Sequence, residues 1–141
     1  MEDRYSFRGK RVGKREWAHG YFMMSEPSQF TKKTRPVIVD SQSGIAEYVD
    51  PATIGQCTEI PDKNKVFAFT GDIVKTKFFG KDSGKGQNFA DYDFFVVTFR
   101  NGGHCLENKT RRFSIGYMAE NPEAFEIIGK IHDNPELMKE V

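Results

Sequence analysis

The chain has 141 residues, 38% of them hydrophobic, 29% charged and 13% aromatic, with 13 Phe. That composition is too aromatic for a disordered segment, and no apolar run approaches the ~20 residues a membrane helix needs. Two Cys cannot build a disulfide scaffold, and no cationic, apolar leader opens the chain, so we expect a single domain in the cytoplasm without a membrane partner.

The net charge of +1 hides a gradient: residues 1–40 carry +4, residues 41–112 carry +1 and residues 113–141 carry −4. A basic front and an acidic tail attract each other, within one subunit or between neighbours. The plainer reading is ordinary solvated surface.

Period-two patterns dominate and predict strands. Tyr5 to Arg8 alternates until Gly9 breaks it. Glu16 to Met24 reads as a strand, with Gly20 marking a bulge or a close backbone approach. Ser25 to Arg35 is the place for a flexible connection. Pro36 to Asp40 and Ile45 to Val49 follow as strands. Asp50-Pro51 reads as a cap and first position of one helical turn, because Gly55 follows too soon for more. Gly55 to Ile60, Val66 to Phe69 and Ile73 to Phe79 are strands, separated by turns at Pro61–Lys65 and Thr70–Asp72. Gly80 to Asn88 is a polar loop, and Asp91 to Arg100 is the strongest strand. Asn101-Gly102 is the clearest hairpin turn, since a type I′ turn needs positive φ at both central positions. His104 to Asn108 and Phe113 to Met118 continue the meander. Phe125 to Ile131 is a last strand, with Gly129 favouring that over a helix, and Asn134-Pro135 starts a short C-terminal helix.

The fold class is therefore mainly β: a small antiparallel SH3-like barrel or twisted sheet, with an N-terminal β-rich segment. Residues 1–141 form one domain, with a subdivision at 1–50 and 51–141.

Three stretches carry a resemblance. The first is Phe7-Arg8-Gly9-Lys10 followed by Glu16-Trp17-Ala18-His19-Gly20-Tyr21. The second is Val49-Asp50-Pro51-Ala52-Thr53-Ile54-Gly55-Gln56-Cys57-Thr58, then Asp62-Lys63-Asn64, then Gly71-Asp72-Ile73-Val74. The third runs from Glu126 through Gly129 to Asn134-Pro135-Glu136-Leu137. Together they resemble the YopX family of phage and prophage proteins over the whole chain. The resemblance implies a phage-borne cytoplasmic protein of a bacterial host, assembled as a homo-oligomer, without an established activity. It implies structural roles for Trp17, Gly20, Pro51, Gly55, Gln56, Asp62, Asn64, Gly71, Asp72, Gly129 and Pro135. The chain departs from the family at Glu59 and Lys65, where glycine is usual, and at Cys57, where an aromatic residue is usual. Lys65 must tolerate a left-handed backbone or use a different turn.

Catalytic chemistry finds little support. Gly80-Lys81-Asp82-Ser83-Gly84-Lys85-Gly86 lacks the spacing and the hydroxyl of a phosphate-binding loop. His104 and Cys105 are strand neighbours facing opposite ways, so no metal is expected. Cys57 or Cys105 with His19, His104 or His132 has the residue types of a nucleophilic pair but nothing to bring them together. Asp91 and Asp93 read as a hairpin edge. We expect no enzyme and no cofactor. The first functional reading is a non-catalytic, self-assembling binding protein acting with a host or phage protein. The alternative is a nucleic-acid-binding module. There Lys75, Lys77 and Phe79 share one strand face, and Arg8, Lys10 and Arg11 add a second cluster for phosphates.

Overall fold

The computed structural model describes residues 6–27, 33–77 and 92–141. It is mainly β and antiparallel, and it divides into two compact units, residues 1–59 and 60–141. The division falls inside a strand, between Glu59 and Ile60.

In the first unit, β1 (Phe7–Lys10) pairs with β2 (Trp17–Met24), which pairs with β3 (Pro36–Asp40), which pairs with β4 (Ala46–Tyr48). β5 (Gly55–Pro61), in which the division falls, lies on the other side of β1, and β6 (Phe67–Phe69), a strand of the second unit, is the next neighbour of β5 in the ladder. Gly9 does not end the first strand as expected but sits within β1, where a Cβ would lie 2.9 Å from Val49 Cβ. At Gly20 the close approach is to backbone: a Cβ would stand 1.9 Å from the Val39 carbonyl oxygen. Ala18, Ile38 and Val49 form a small buried core, flanked by Phe7 and Ile54. The turn at Pro51–Thr53 forms as expected, with the Asp50 carboxylate accepting the Ala52 N–H at 3.0 Å. Thr53 Oγ1 accepts the Lys10 N–H at 2.8 Å, which fixes this turn against β1.

The second unit holds a sheet in the order β10–β9–β8–β7–β11. β7 is Asp72–Lys77, β8 Tyr92–Arg100, β9 Gly103–Glu107, β10 Arg112–Ser114 and β11 Phe125–Lys130. The β8–β9 hairpin turns on Asn101 (φ 51°) and Gly102 (φ 83°), the conformation this dipeptide favours. Val74, Phe95, Val97, Leu106, Met118 and Phe125 are core residues, and burying a side chain such as Phe95 stabilises by about 2–3 kcal/mol.

Of the two fold alternatives, barrel or twisted sheet, the open sheet forms, and one predicted strand needs correction. Neither sheet closes into an SH3-like barrel; β10 and β11 remain edges of one open sheet, and β4 and β6 of the other. The segment Phe113–Met118 is not one strand. β10 stops at Ser114, whose Oγ accepts the Gly116 N–H at 3.2 Å. The helical turn α1 (Gly116–Ala119) then directs Met118 into the core.

The residues marked by the resemblance do structural work. Asp62 is 2% exposed; its Oδ1 accepts the N–H groups of Asn64 (2.8 Å) and Val66 (3.0 Å), and its Oδ2 accepts that of Ile127 (3.0 Å). One carboxylate thus shapes the turn and docks it on β11. Asn64 adds a 3.3 Å bond to Glu126. Lys65 closes this turn in the left-handed region (φ 65°), and Glu59 is left-handed too (φ 66°). Both positions where the family uses glycine therefore keep the glycine conformation. Asp72 is 1% exposed, and its Oδ2 accepts the Phe69 N–H at 2.7 Å across the bend at Gly71 (φ 96°). Gly129 lies at an irregularity in the β7–β11 ladder, where a Cβ would stand 2.7 Å from Asn134 Oδ1. Asn134 accepts the Lys130 N–H at 3.1 Å, and a 3-10 turn follows at Pro135–Lys139, the expected C-terminal helix. Gln56 is exposed opposite Phe7, and Gly55 is buried opposite Arg8.

Candidate functional site

The basic residues singled out from the sequence fall in both units. Lys75 is half-buried and its Nζ lies 3.4 Å from Glu126 Oε1, which also meets Lys63 Nζ at 3.5 Å. Burial alone raises the Glu126 pKa, but Asn64, Lys63 and Lys75 outweigh it and the net shift is downward. The charge of Lys75 is thus answered from β11. Lys77 ends β7 exposed, and Phe79 lies outside the described residues, as do the Gly80–Gly86 segment and Asp91.

In the first unit the register Arg8↔His19 and Lys10↔Trp17 puts Arg8 and Trp17 on one face as diagonal neighbours. Arg8 is only 3% exposed, and its guanidinium stacks 4.9 Å from the Trp17 ring centroid. It is therefore a structural cation, not a surface one. Lys10 Nζ lies 5.9 Å from the same ring. Arg11 pairs with Glu16 and, at 3.8 Å, with Glu47. The side chains of Lys10, Arg11, Lys14 and Arg15 still share a 450 Å³ depression with Asp50 and Pro51. Among the described residues no aromatic side chain lines it.

A different cleft, in the second unit, combines charge with rings. Its volume is 520 Å³. Thr76 and Lys77 of β7, Asp93 and Phe95 of β8, Arg111, Arg112 and Phe113 at β10, and Tyr117, Met118 and Asn121 around α1 line it. Local chemistry builds it. Asn108 Oδ1 accepts the N–H groups of Thr110 and Arg111, both at 2.9 Å, while its Nδ2 donates to the Phe94 carbonyl at 3.1 Å. That turn brings Arg111 to the rim. The start of α1 then sets Tyr117 on the same side as Phe113, four residues earlier. Phe113 meets buried Phe95 edge-on at 5.2 Å, and Tyr117 meets Phe113 edge-on at 6.1 Å. Tyr117 is 69% exposed, the most exposed large hydrophobic among the described residues. Among the described residues Arg111 and Asp93 lie beside this ring ladder, whereas the register sets Arg112 opposite Glu107 and Lys77 on the strand face of Lys75, the other side of the sheet. Reading Phe113–Met118 as a strand hid the cleft; the spacing of Arg111-Arg112-Phe113 and Tyr117 was the signal.

Among the described residues no Cys or His lines this cleft. Cys57 is buried, Cys105 is half-buried, and His104 meets Phe99 edge-on at 5.2 Å. Burial pushes the His104 pKa below its ordinary value. Among the described residues no group of three or more His, Cys, Asp or Glu is arranged to hold a metal. No described helix is long and apolar enough to cross a membrane.

Fold and surface together define a two-unit protein of open antiparallel sheets, carrying a ring-lined cleft in its second unit. The family model for the YopX protein matches residues 6–139, and the chain belongs to that family. Two crystal structures share the fold. Protein EF1440 from Enterococcus faecalis is 19% identical, with a TM-score of 0.55 over 94% of this chain and 96% of that one. Protein yopX from Bacillus subtilis is 15% identical, with a TM-score of 0.55 over 96% of this chain and 97% of that one. No curated protein matches the chain.

Proposed function

We propose that the chain is a non-catalytic accessory protein of phage or prophage origin, working in the host cytoplasm by binding, as a homo-oligomer. One observation supports the assembly. Tyr21, Phe22, Met23 and Met24 run consecutively along β2 and are all exposed, on both faces of the strand. Tyr48 on the edge strand β4 is exposed as well, under the Arg35 guanidinium at 3.9 Å. Apolar surface of this kind, in a sheet with β4 at its edge, is stabilised by covering it, and a second copy supplies an identical surface. The mass in solution at micromolar concentration, by light scattering, tests this. A multiple of 16.2 kDa that Met23→Glu reduces to the single-chain mass supports the reading. A monomer at every concentration refutes it.

A second reading, nucleic-acid binding, keeps the exposed Lys77 of the residues first expected. Arg8 is buried, and Lys75 and Arg11 are paired with carboxylates.

A further inference from the structure

We infer that the sheet face of the second unit carrying Lys77, Lys109 and Arg112 binds the phosphodiester backbone of a nucleic acid, without reading its sequence. This rests on the nucleic-acid reading above and gives it a surface. Side chains two residues apart on a strand share a face, so Lys75 and Lys77 lie on the side of β7 away from Val74 and Thr76. The register carries that side from Ile73 to Val96, Glu107 and then Arg112. Lys109 and Arg100 share a 410 Å³ depression with Val96, Thr98 and Glu107 there. From β7 to β10 the face spans three inter-strand steps, about 14 Å. Its two carboxylates are each divided between two cations. Glu126 meets Lys63 at 3.5 Å and Lys75 at 3.4 Å. Glu107 meets Arg100 at 3.0 Å and has Arg112 as its cross-strand neighbour. Lys77 and Lys109 are exposed, and among the described residues no carboxylate pairs with either. The face therefore keeps an excess of positive charge. Among the described residues no large exposed hydrophobic lies on this side of β7 to β10; Phe99 lies on the other side. A protein partner docks on a core depleted of charge, whereas a nucleic-acid surface is polar and strongly positive. This face has the second composition.

The test uses the whole chain with labelled oligothymidylate and a labelled duplex of equal length, read by fluorescence anisotropy at several salt concentrations. Polyglutamate serves as competitor. Affinity should fall with salt along a straight log–log line. Lys77→Gln with Lys109→Gln should flatten that line by about 1.4 for the single strand, at about 0.7 per cation, or by about 1.8 for the duplex, at about 0.9. The two arms thus tell which form supplies the phosphates. Lys14→Gln with Arg15→Gln, in the first unit, should leave the slope unchanged. All four side chains are exposed, so both double variants should melt like the parent, and a melting curve checks that. Absence of binding to either form at low salt would overturn this inference and the reading beneath it. An unchanged slope in Lys77→Gln with Lys109→Gln would overturn the surface alone, and a flatter line in the first-unit variant would then move the reading there. Displacement by polyglutamate at the same concentration of charge as unlabelled oligothymidylate would overturn nucleic acid as the occupant.

Discussion

Replacing Lys65 with glycine should stabilise the second unit. Lys65 sits at φ 65° in the turn that Asp62 organises, and its N–H donates to the Asp62 carbonyl at 2.9 Å. That bond survives the change, and the lost side chain is exposed. A Cβ in the left-handed region costs about 1–2 kcal/mol, from its clash with the following carbonyl oxygen. Glycine removes that cost but loses more chain entropy on folding, about 0.5–1 kcal/mol. The net gain is therefore about 0.5–1 kcal/mol. For a unit of this size that raises the melting temperature by about 2–8 °C. Differential scanning calorimetry of the parent, Lys65→Gly and Lys65→Ala checks it. Alanine keeps the Cβ and should melt with the parent. Equal gains in Ala and Gly would assign the effect to the side chain and refute the argument, as would no gain in Gly. Glu59, at φ 66° in β5, should respond to glycine in the same direction.

Other changes should act on single contacts. Asp62→Ala leaves the Asn64, Val66 and Ile127 N–H groups without their acceptor and should cost about 3 kcal/mol, read from the urea midpoint. Gly20→Ala forces a methyl into the Val39 carbonyl and should cost about 3 kcal/mol or break the β2–β3 ladder, seen as lost amide protection in β3. The pKa of Asp40 is lowered by the N–H groups of Ser43 and Gln42, and that of Glu107 by the hydrogen bond from Arg100. Both carboxylates bind a proton less readily folded than unfolded. Their contribution is present above the ordinary values of 3.8 and 4.5 and is lost as pH falls through the lower folded values. Glu107→Gln should flatten the acid limb of stability against pH, measured by urea unfolding.

Much of the backbone was legible because single residues dictate it. Asn101-Gly102 demands positive φ, and Asp50-Pro51 starts a turn, so both appear where their chemistry requires. The positive-φ sites at Glu59 and Lys65 were visible only as departures from a family pattern. Burial of charge was not legible. The alternation around Lys75 is real, but its partner Glu126 arrives from β11, far along the chain. Arg8 reads as a surface cation until the β1–β2 register sets it over Trp17. The cleft was missed for a similar reason. Phe113 and Tyr117 fall on one side only once Ser114 and Gly116 bend the strand into a helical turn.

The sheet order of the second unit also fixes a timetable for the growing chain. β7 has β8 on one side and β11 on the other, and β11 lies at residues 125–130. At about 5–20 residues per second, the ribosome supplies β11 roughly 2–10 s after β7. For that interval the strand bearing Ile73 and Val74 lacks a neighbour on one flank, and the Asp62 carboxylate awaits the N–H of Ile127. The first unit owes nothing to that late arrival for its ladder of β1 to β4. A newborn chain therefore carries one finished sheet and one adhesive strand, and this is when a chaperone would matter most.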